Sequence, residues 1–345
     1  MKLSIGSILK FIIFVGIGIL LFYFLFSNAQ ESYLEECALK GIPESDCSLV
    51  DKITSDFKST NFIWLLVILV LYMLSNFFRA LRWNQMIEPL GYSPRVVNSL
   101  GALMIGYFTN MAFPRIGEFI KTGTLSRYEN IPFETTMGTV IVDRILDVTA
   151  LLVVIAIALV FSYGTFADYF ADNFQMPGWF SWPLLIGVGL LGLLFLYFLN
   201  RFLINGEFEG GLMKKLQTIS FGLKEGLFSL TKVKNLPLLI LYTIGIWVLY
   251  YLMTYLCFFA FEPVSHLSPL AGLVVFVFGT LGMVFPSPGG MGSYHLLISQ
   301  ALVIYGINEV DAFSFSNIIF FTINIFGNII FGLLFFIVLP FYNKK

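Results

Sequence analysis

The chain has 345 residues and a formal net charge of -1, with 58% hydrophobic and 12% charged residues. Ordinary soluble domains carry about 45–50% and about 25%, so this balance excludes one and implies an integral membrane protein. The charge gives no basic surface, and no nucleic-acid partner is expected. The 39 Phe and 16 Tyr suit a lipid-facing surface.

The expected architecture is an all-α integral membrane protein: six full transmembrane helices plus two re-entrant, broken helical hairpins arranged as an inverted-topology repeat. A span needs about 20 apolar residues. The runs that qualify are 8–27, 60–80, 135–163, 182–200, 236–261 and 315–340. In chain order, Phe11-Phe26 follows Lys2 and Lys10 and precedes Ser27-Asn28-Ala29. This reads either as a cleaved signal peptide or as a retained signal-anchor over 1–27. The anchor is preferred, because its apolar core is at the long end for a signal and the topology below requires it. Residues 28–60 read as an extracytoplasmic loop. Its stretch Gln30-Thr60 carries seven acids against three lysines, and it holds Cys37 and Cys47. These two either form a disulfide in an oxidising compartment or remain thiols, while Cys257 lies in an apolar run as packing.

The first repeat spans 60–163. Between its two helices, Leu100-Asn130 is apolar but broken around Phe113-Pro114-Arg115-Ile116-Gly117. Residues 201–234 form a cytoplasmic linker. In it Leu212, Leu216, Ile219, Leu223, Leu227 and Leu230 recur three or four apart, with Lys214, Lys215 and Lys224 off that stripe. This is an amphipathic helix on the membrane surface or a solvated linker helix. The second repeat spans 236–340. There Leu270-Ile307 is broken around Pro286-Ser287-Pro288-Gly289-Gly290-Met291-Gly292. Proline removes a backbone donor and glycine weakens a helix, so neither broken region makes one straight span. Each is a hairpin dipping into the membrane or a pair of short spans. Broken backbone at that depth needs protein or a wet cavity to satisfy it.

Thirteen of the twenty Lys and Arg fall at Lys2 and Lys10, at Arg79, Arg82 and Arg95, in Arg201-Lys234, and at Lys344 with Lys345. The excess of basic residues in cytoplasmic loops puts those places inside, with both termini cytoplasmic. Phe166-Trp182, Glu262-Ser268 and Asn308-Ser314 lack Lys and Arg and fall outside. The unit helix, broken hairpin, helix then occurs twice with opposite direction, the pattern of alternating-access transporters.

Ionisable groups inside apolar runs mark candidate sites, since each costs at least a few kcal/mol in hydrocarbon unless paired or wet. Arg115, Glu118 and Lys121 lie three apart on roughly one helical face, approached by Asn110 and Thr109 from the other arm. Arg115 and Lys121 are suited to a phosphate diester, with Glu118 holding the empty site near neutrality. A buried Arg-Glu pair pinning the hairpin is the alternative. Asp143 and Asp147 share a face with Arg144 beside them. An Arg144-Asp147 pair would leave Asp143 to meet Arg115 or Lys121, as a switching network or a static clamp. Gly289 and Gly290 allow close backbone approach to an anionic headgroup or tight packing. His295 is a titratable group or a core histidine. Asn317, Asn324 and Asn328 stripe the last helix, facing the same cavity or gluing helices. Zinc-protease, nucleotide-binding and hydrolase motifs are lacking, the histidines are His266 and His295 alone, and neither cofactor nor metal is implied.

Several motifs together carry a resemblance: Arg79-Ala80-Leu81-Arg82-Trp83; Gly106, Asn110, Pro114, Arg115, Glu118 and Lys121 at their spacing; Asp143-Arg144 with Asp147; and Pro286 with Gly289-Gly290. With them the chain resembles the lysylphosphatidylglycerol synthase transmembrane-region family, also called flippase-like or UPF0104 proteins. The resemblance implies a non-enzymatic flippase of the bacterial cytoplasmic membrane, without the aminoacyl transferase domain. Its expected partners are anionic or aminoacylated phospholipids or a lipid-linked precursor, with oligomeric state open. The residues expected to bind substrate are Arg115, Lys121, Asn110, Glu118, Arg82, Gly289 and Gly290, and Asp143, Arg144, Asp147 and His295 form the electrostatic network. Asp143 stands where the family often has Glu. His295 stands where Glu commonly follows the Pro-Gly-Gly turn, which bears on the charge balance and so on the lipid. The alternatives from other classes are a lipid-modifying enzyme or its membrane subunit, and an envelope-assembly scaffold.

Overall fold

The structure, a computed structural model, describes residues 5–112, 116–164, 233–284 and 288–344. The 182–200 span, most of the 201–234 linker, Arg115 and the Pro114 and Pro286 breaks lie outside them. The described residues are helical without a strand: α1 (Ile5–Leu39), α2 (Leu49–Ser59), α3 (Phe62–Ile87), α4 (Val96–Ala112), α5 (Gly117–Glu129), α6 (Phe133–Phe161), α7 (Leu236–Phe258), α8 (Pro269–Val284), α9 (Ser293–Ile304), α10 (Glu309–Phe320) and α11 (Asn328–Tyr342). Four segments among them are long and apolar enough to cross a membrane: Phe62–Leu90, Phe133–Phe161, Leu236–Phe258 and Glu309–Tyr342.

Side-chain caps set several helix starts. Ser48 accepts from the amide of Asp51, Asn61 from Ile63, Asn235 from Leu238 and Asn308 from Asp311, each satisfying a donor that the first helical turn leaves free. α1 outlasts its apolar run and stays helical to Leu39, so residues 28–39 are helix rather than loop. Good helix formers in Gln30-Leu39 carry it on. Cys37 and Cys47 are disulfide-bonded, and Cys257 is free and buried. The bridged corner docks on α10. Leu25 and Ala29 of α1 pack with Leu49 of α2 and with Val310 and Phe313 of α10. Lys52 Nζ lies 2.7 Å from Asp56 and 3.1 Å from Asp311. Burial works against its charge, but the hydrogen bond to Asp56 and the pull of Asp311 outweigh it and raise its pKa above the ordinary lysine value. With the cysteines ten positions apart, the bridge restrains the unfolded corner by about 2–3 kcal/mol. Cys37→Ser with Cys47→Ser is expected to make residues 40–48 a preferred protease site in limited proteolysis while the helices further along resist.

The second transmembrane half repeats the connectivity of the first. α3 packs along α7, and each is followed by a two-helix hairpin, α4 with α5 and α8 with α9. Each hairpin's first arm lies on the last helix of the other half, α4 on α11 and α8 on α6. Small residues permit the closest approaches: a Cβ at Gly101 would fall 2.8 Å from the side chain of Leu339, and one at Gly332 would fall 2.4 Å from Phe108. The hairpin arms number 17, 13, 16 and 12 residues. At about 1.5 Å per residue none alone reaches the ~30 Å of a hydrocarbon core.

The last rod, Glu309–Tyr342, winds as a π-helix over Phe321–Gly327. That local change of pitch interrupts the regular stripe of asparagines. Asn317 is buried and donates to Phe313 O, whereas Asn328 accepts from the Tyr72 hydroxyl at 2.5 Å. At the far end of the rod, Asn343 accepts from Arg95 at 2.5 Å and donates to Asn98 at 2.8 Å, while Arg95 Nε lies 3.0 Å from Glu129. This ties the end of the second half to both arms of the first hairpin. Apolar side chains left exposed among the described residues, such as Leu152, Val153, Val160 and Phe161 on α6 and Leu333, Phe336 and Ile337 on α11, suit contact with lipid chains.

Candidate functional site

Arg79 and Arg82 are three apart on α3, so they share one face, and Asp143 and Asp147 are four apart on α6. The two helices pack with these faces together. Arg79 Nη1 lies 3.2 Å from Asp143 Oδ2 and 2.8 Å from Asp147 Oδ2. Arg82 Nη2 bonds Asp143 Oδ1 and lies 2.6 Å from Asp147 Oδ1. Each guanidinium thus bridges both carboxylates. A planar fork suits such bridging and an ammonium does not. Arg82 is wholly buried and Asp143 is 3% exposed, while Asp147 keeps 13% of its side chain exposed. Thr243 of α7 accepts a further bond from Arg82 at 3.3 Å, and Trp83 Nε1 donates to Thr139 of α6 at 2.9 Å. The Tyr250 ring of α7 stands 5.9 Å from Arg79.

A second group of charges lies alongside, on the first hairpin. Glu118 Oε2 is 2.7 Å from Lys121 Nζ, and Glu118 Oε1 bonds Arg144 of α6. Lys121 is almost completely buried, with its ammonium 5.4 Å from the Trp83 ring, a distance at which cation–π attraction applies. Arg144 is 47% exposed and reaches Asp147 only at 3.9 Å. Glu118 is therefore the hinge between hairpin and α6. The two groups together hold four cationic side chains (Arg79, Arg82, Lys121, Arg144) against three carboxylates (Glu118, Asp143, Asp147). Among the described residues the cluster has one cation in excess. Arg79 Nε and Arg82 Nε are buried there without a hydrogen-bond partner.

This pairing differs from the one the sequence suggested. Asp143 meets Arg79 and Arg82 instead of Lys121, and the principal partner of Arg144 is Glu118 instead of Asp147. Helical spacing reports who shares a face within one helix and says nothing about which helix lies opposite. Arg79, Trp83, Thr243 and Tyr250 did not enter the expected site. The available signal was the pair of arginines three apart inside an apolar helix. Arg115 lies outside the described residues.

The remaining expected residues fall in two further places. Asn110 joins the arms of the first hairpin: its Oδ1 accepts from the Gly117 amide at 2.7 Å, where the backbones of Gly106 and Gly117 touch. The second hairpin closes alike, with Ser293 Oγ donating to Gly282 O at 2.7 Å. Its turn, Pro288–Gly290, packs against α4 of the first hairpin and against α1. Gly289 and Gly290 have φ of 58° and 82°, a region that glycine enters without strain. A side chain at Gly290 would strike Met283, whereas Gly289 faces open space. His295 stands apart from the tetrad. Its ring packs with Phe320 at 4.5 Å and Phe22 at 5.3 Å.

The profile of the family described as lysylphosphatidylglycerol synthase TM region matches residues 48–332. The chain belongs to this family. It is a multi-pass membrane protein, and α1 with both bridged cysteines lies ahead of the matched residues. A UPF0104 membrane protein of Methanocaldococcus jannaschii is 32% identical over 101 residues, 28% of this chain and 30% of the relative. Glycosyltransferase AglD of Haloferax volcanii is 26% identical over 92 residues, 26% of this chain and 15% of that protein. The chain thus spans less than a third of the length of either curated relative it matches. No solved structure matches. Within the family frame, the motif residues Arg79, Arg82, Glu118, Lys121, Asp143 and Asp147 are those that meet in the charge cluster.

Proposed function

We propose that the protein moves a lipid with an anionic headgroup, a phospholipid or a lipid-linked precursor, between the leaflets of a cell membrane. The observation that carries this reading is the buried charge cluster with two arginine Nε donors unspent and half-exposed Arg144 adding a fourth cation at its edge, beside helices that cross a bilayer. A phosphate diester supplies the acceptors that the two Nε donors lack, and its negative charge offsets the extra cation at the edge of the cluster. Lys121 and Arg115 contact the phosphate, and Asn110 and the Gly289-Gly290 backbone border the path. Glu118 shifts between Lys121 and Arg144 as the headgroup arrives and leaves. The hairpins are the re-entrant gates of an inverted repeat, and the Cys37-Cys47 corner faces the oxidising side, with both termini cytoplasmic. The chemistry is transport, without a bond made or broken.

The test is a leaflet-reporter assay on purified protein in vesicles. Lys121→Ala is expected to lower the rate by at least about tenfold, the equivalent of one charge-assisted contact of about 1.5–3 kcal/mol. Arg127→Ala, at the far end of α5, is expected to keep the wild-type rate. Equal rates for Lys121→Ala and wild type end the proposal.

The similarity to a glycosyltransferase favours a second reading, in which this fold is the membrane part of a lipid-modifying enzyme. Lipid mass spectrometry of cells lacking and overproducing the protein separates the two. An enzyme changes the total composition, whereas a flippase changes only sidedness.

A further inference from the structure

We propose that the charge cluster selects a headgroup that carries phosphate and no ammonium, so that ethanolamine-bearing and aminoacylated lipids are refused. This selectivity rests on the transport reading above and narrows its substrate to one chemical class.

Every carboxylate of the cluster is already committed to cations of the protein itself. Arg79 lies 3.2 and 2.8 Å from Oδ2 of Asp143 and Asp147, and Arg82 takes Oδ1 of both. Glu118 gives Oε1 to Arg144 and stands with Oε2 2.7 Å from Lys121. All six oxygens thus lie within ion-pair distance of a guanidinium or an ammonium. The rings that could seat a headgroup ammonium are occupied likewise, with Lys121 at 5.4 Å from Trp83 and Arg79 at 5.9 Å from Tyr250. Trp83 is held in that position by its Nε1 bond to Thr139. Glu118 Oε2 is the least firmly engaged of the oxygens, since it faces Lys121 without an aligned hydrogen bond. A headgroup ammonium drawn to it would stand beside the ammonium of Lys121. Among the described residues Lys121 has no second carboxylate within ion-pair distance to turn to.

Donors, by contrast, are in surplus. Arg79 Nε and Arg82 Nε are buried without an acceptor, and Lys121 brings three ammonium hydrogens to a single carboxylate oxygen. The lysine is also confined, because a Cβ at Gly106 would fall 2.9 Å from its own Cβ. Charge points the same way. Among the described residues four cations stand against three carboxylates, and a singly charged phosphate diester makes four of each. An ethanolamine ester brings a fifth cation with that phosphate, and a lysyl ester brings a fifth and a sixth. None of these added ammoniums finds an oxygen that is not already paired, and a charge taken from water without a partner is costly. Selection comes from what the wrong headgroup leaves unpaired as much as from what the right one gains.

The experiment is native mass spectrometry of the purified full chain with equimolar pairs of lipids of matched acyl chains. Phosphatidylglycerol is set against phosphatidylethanolamine and against lysylphosphatidylglycerol. A further pair, phosphatidylglycerol with a polyprenyl phosphate, tells a phospholipid from a lipid-linked carrier as the source of the phosphate, both being free of ammonium. Wild type is expected to hold phosphatidylglycerol over either ammonium-bearing lipid by at least about tenfold, as one charge-assisted contact allows. Lys121→Met releases Glu118 Oε2 and the Trp83 ring together and leaves three cations with three carboxylates, so the preference is expected to fall to within about threefold. Arg144→Gln makes the same change of charge at the half-exposed edge and is expected to lower the preference several-fold. A wild-type preference below tenfold, or one that neither variant lowers, overturns the selectivity. Binding with this preference by protein that moves none of these lipids between leaflets sinks the transport reading alone. Movement of phosphatidylethanolamine as fast as phosphatidylglycerol sinks the selectivity alone.

Discussion

Asp143→Ala is expected to be among the most destabilising single changes in the protein, costing about 3–5 kcal/mol, because it leaves two buried guanidiniums sharing the one carboxylate of Asp147. Both arginines bond Asp143 directly, at positions almost without solvent. Arg144→Ala, one residue further on, removes a side chain that is 47% exposed and is expected to cost at most about 1 kcal/mol. The contrast between neighbours is the measurement: melting temperatures in one detergent, with Arg144→Ala near wild type and Asp143→Ala far below. Pairing Asp143→Leu with Arg82→Met removes one charge of each sign and is expected to recover much of the loss, since an apolar pair replaces a buried ion pair at little cost. Equal losses for Asp143→Ala and Arg144→Ala would mean that the tetrad does not hold α3 to α6.

The same residues show how far a sequence carries this fold. Among the described residues, the helices over 60–80, 135–163, 236–261 and 315–340 were legible as unbroken apolar runs of about 20 residues or more, because lipid imposes that length on each span. The ends of the described hairpin arms at Ala112, Gly117, Val284 and Ser293 fall beside the Pro and Gly stretches that the sequence singles out, since Pro and Gly act on the backbone of their own segment. Pairing across helices was not. The partners of Asp143 stand 64 and 61 positions earlier on α3, and no local spacing connects them. Glu118 offers a clear case: Lys121, three residues on, was expected beside it, while Arg144, 26 residues away, is added only by the docking of α5 on α6. The π-helical turn in Phe321–Gly327 had no signal in an otherwise regular apolar run, and it is what separates Asn317 from the Tyr72-Asn328 contact. The disulfide lay between two readings, since a separation of ten positions permits a bond without requiring it. His295 was assigned by its place after the Pro-Gly-Gly turn to an electrostatic network, but the α9–α10 register sets its ring against Phe22, Phe313 and Phe320.

Gly117→Ala is expected to open the first hairpin, and to do so more severely than alanine at any other glycine of its two arms. A Cβ there would lie 2.1 Å from Gly106 O and 2.5 Å from Asn110 Oδ1. Both obstacles belong to the contact that closes the hairpin, and the nearer one is backbone, which no rotamer change can move. The arms must part, breaking the Asn110 bond to the Gly117 amide as they do. Overpacking costs about 1–3 kcal/mol where side chains can adjust. With backbone as the obstacle the loss is expected at or above the upper end of that range, plus about 1 kcal/mol for the broken bond. Gly282→Ala makes the corresponding change in the second hairpin, where the added carbon would lie 2.7 Å from Tyr294 Cα, so a loss of similar size is expected. Gly138→Ala is the control: nothing lies within 4 Å of its added carbon, and alanine in a helix interior is worth up to about 1 kcal/mol over glycine. Melting temperature should fall for the first two and hold or rise for the third. Should Gly117→Ala melt with wild type, the two arms do not meet at Gly106, and the bond from Asn110 is not what closes the hairpin.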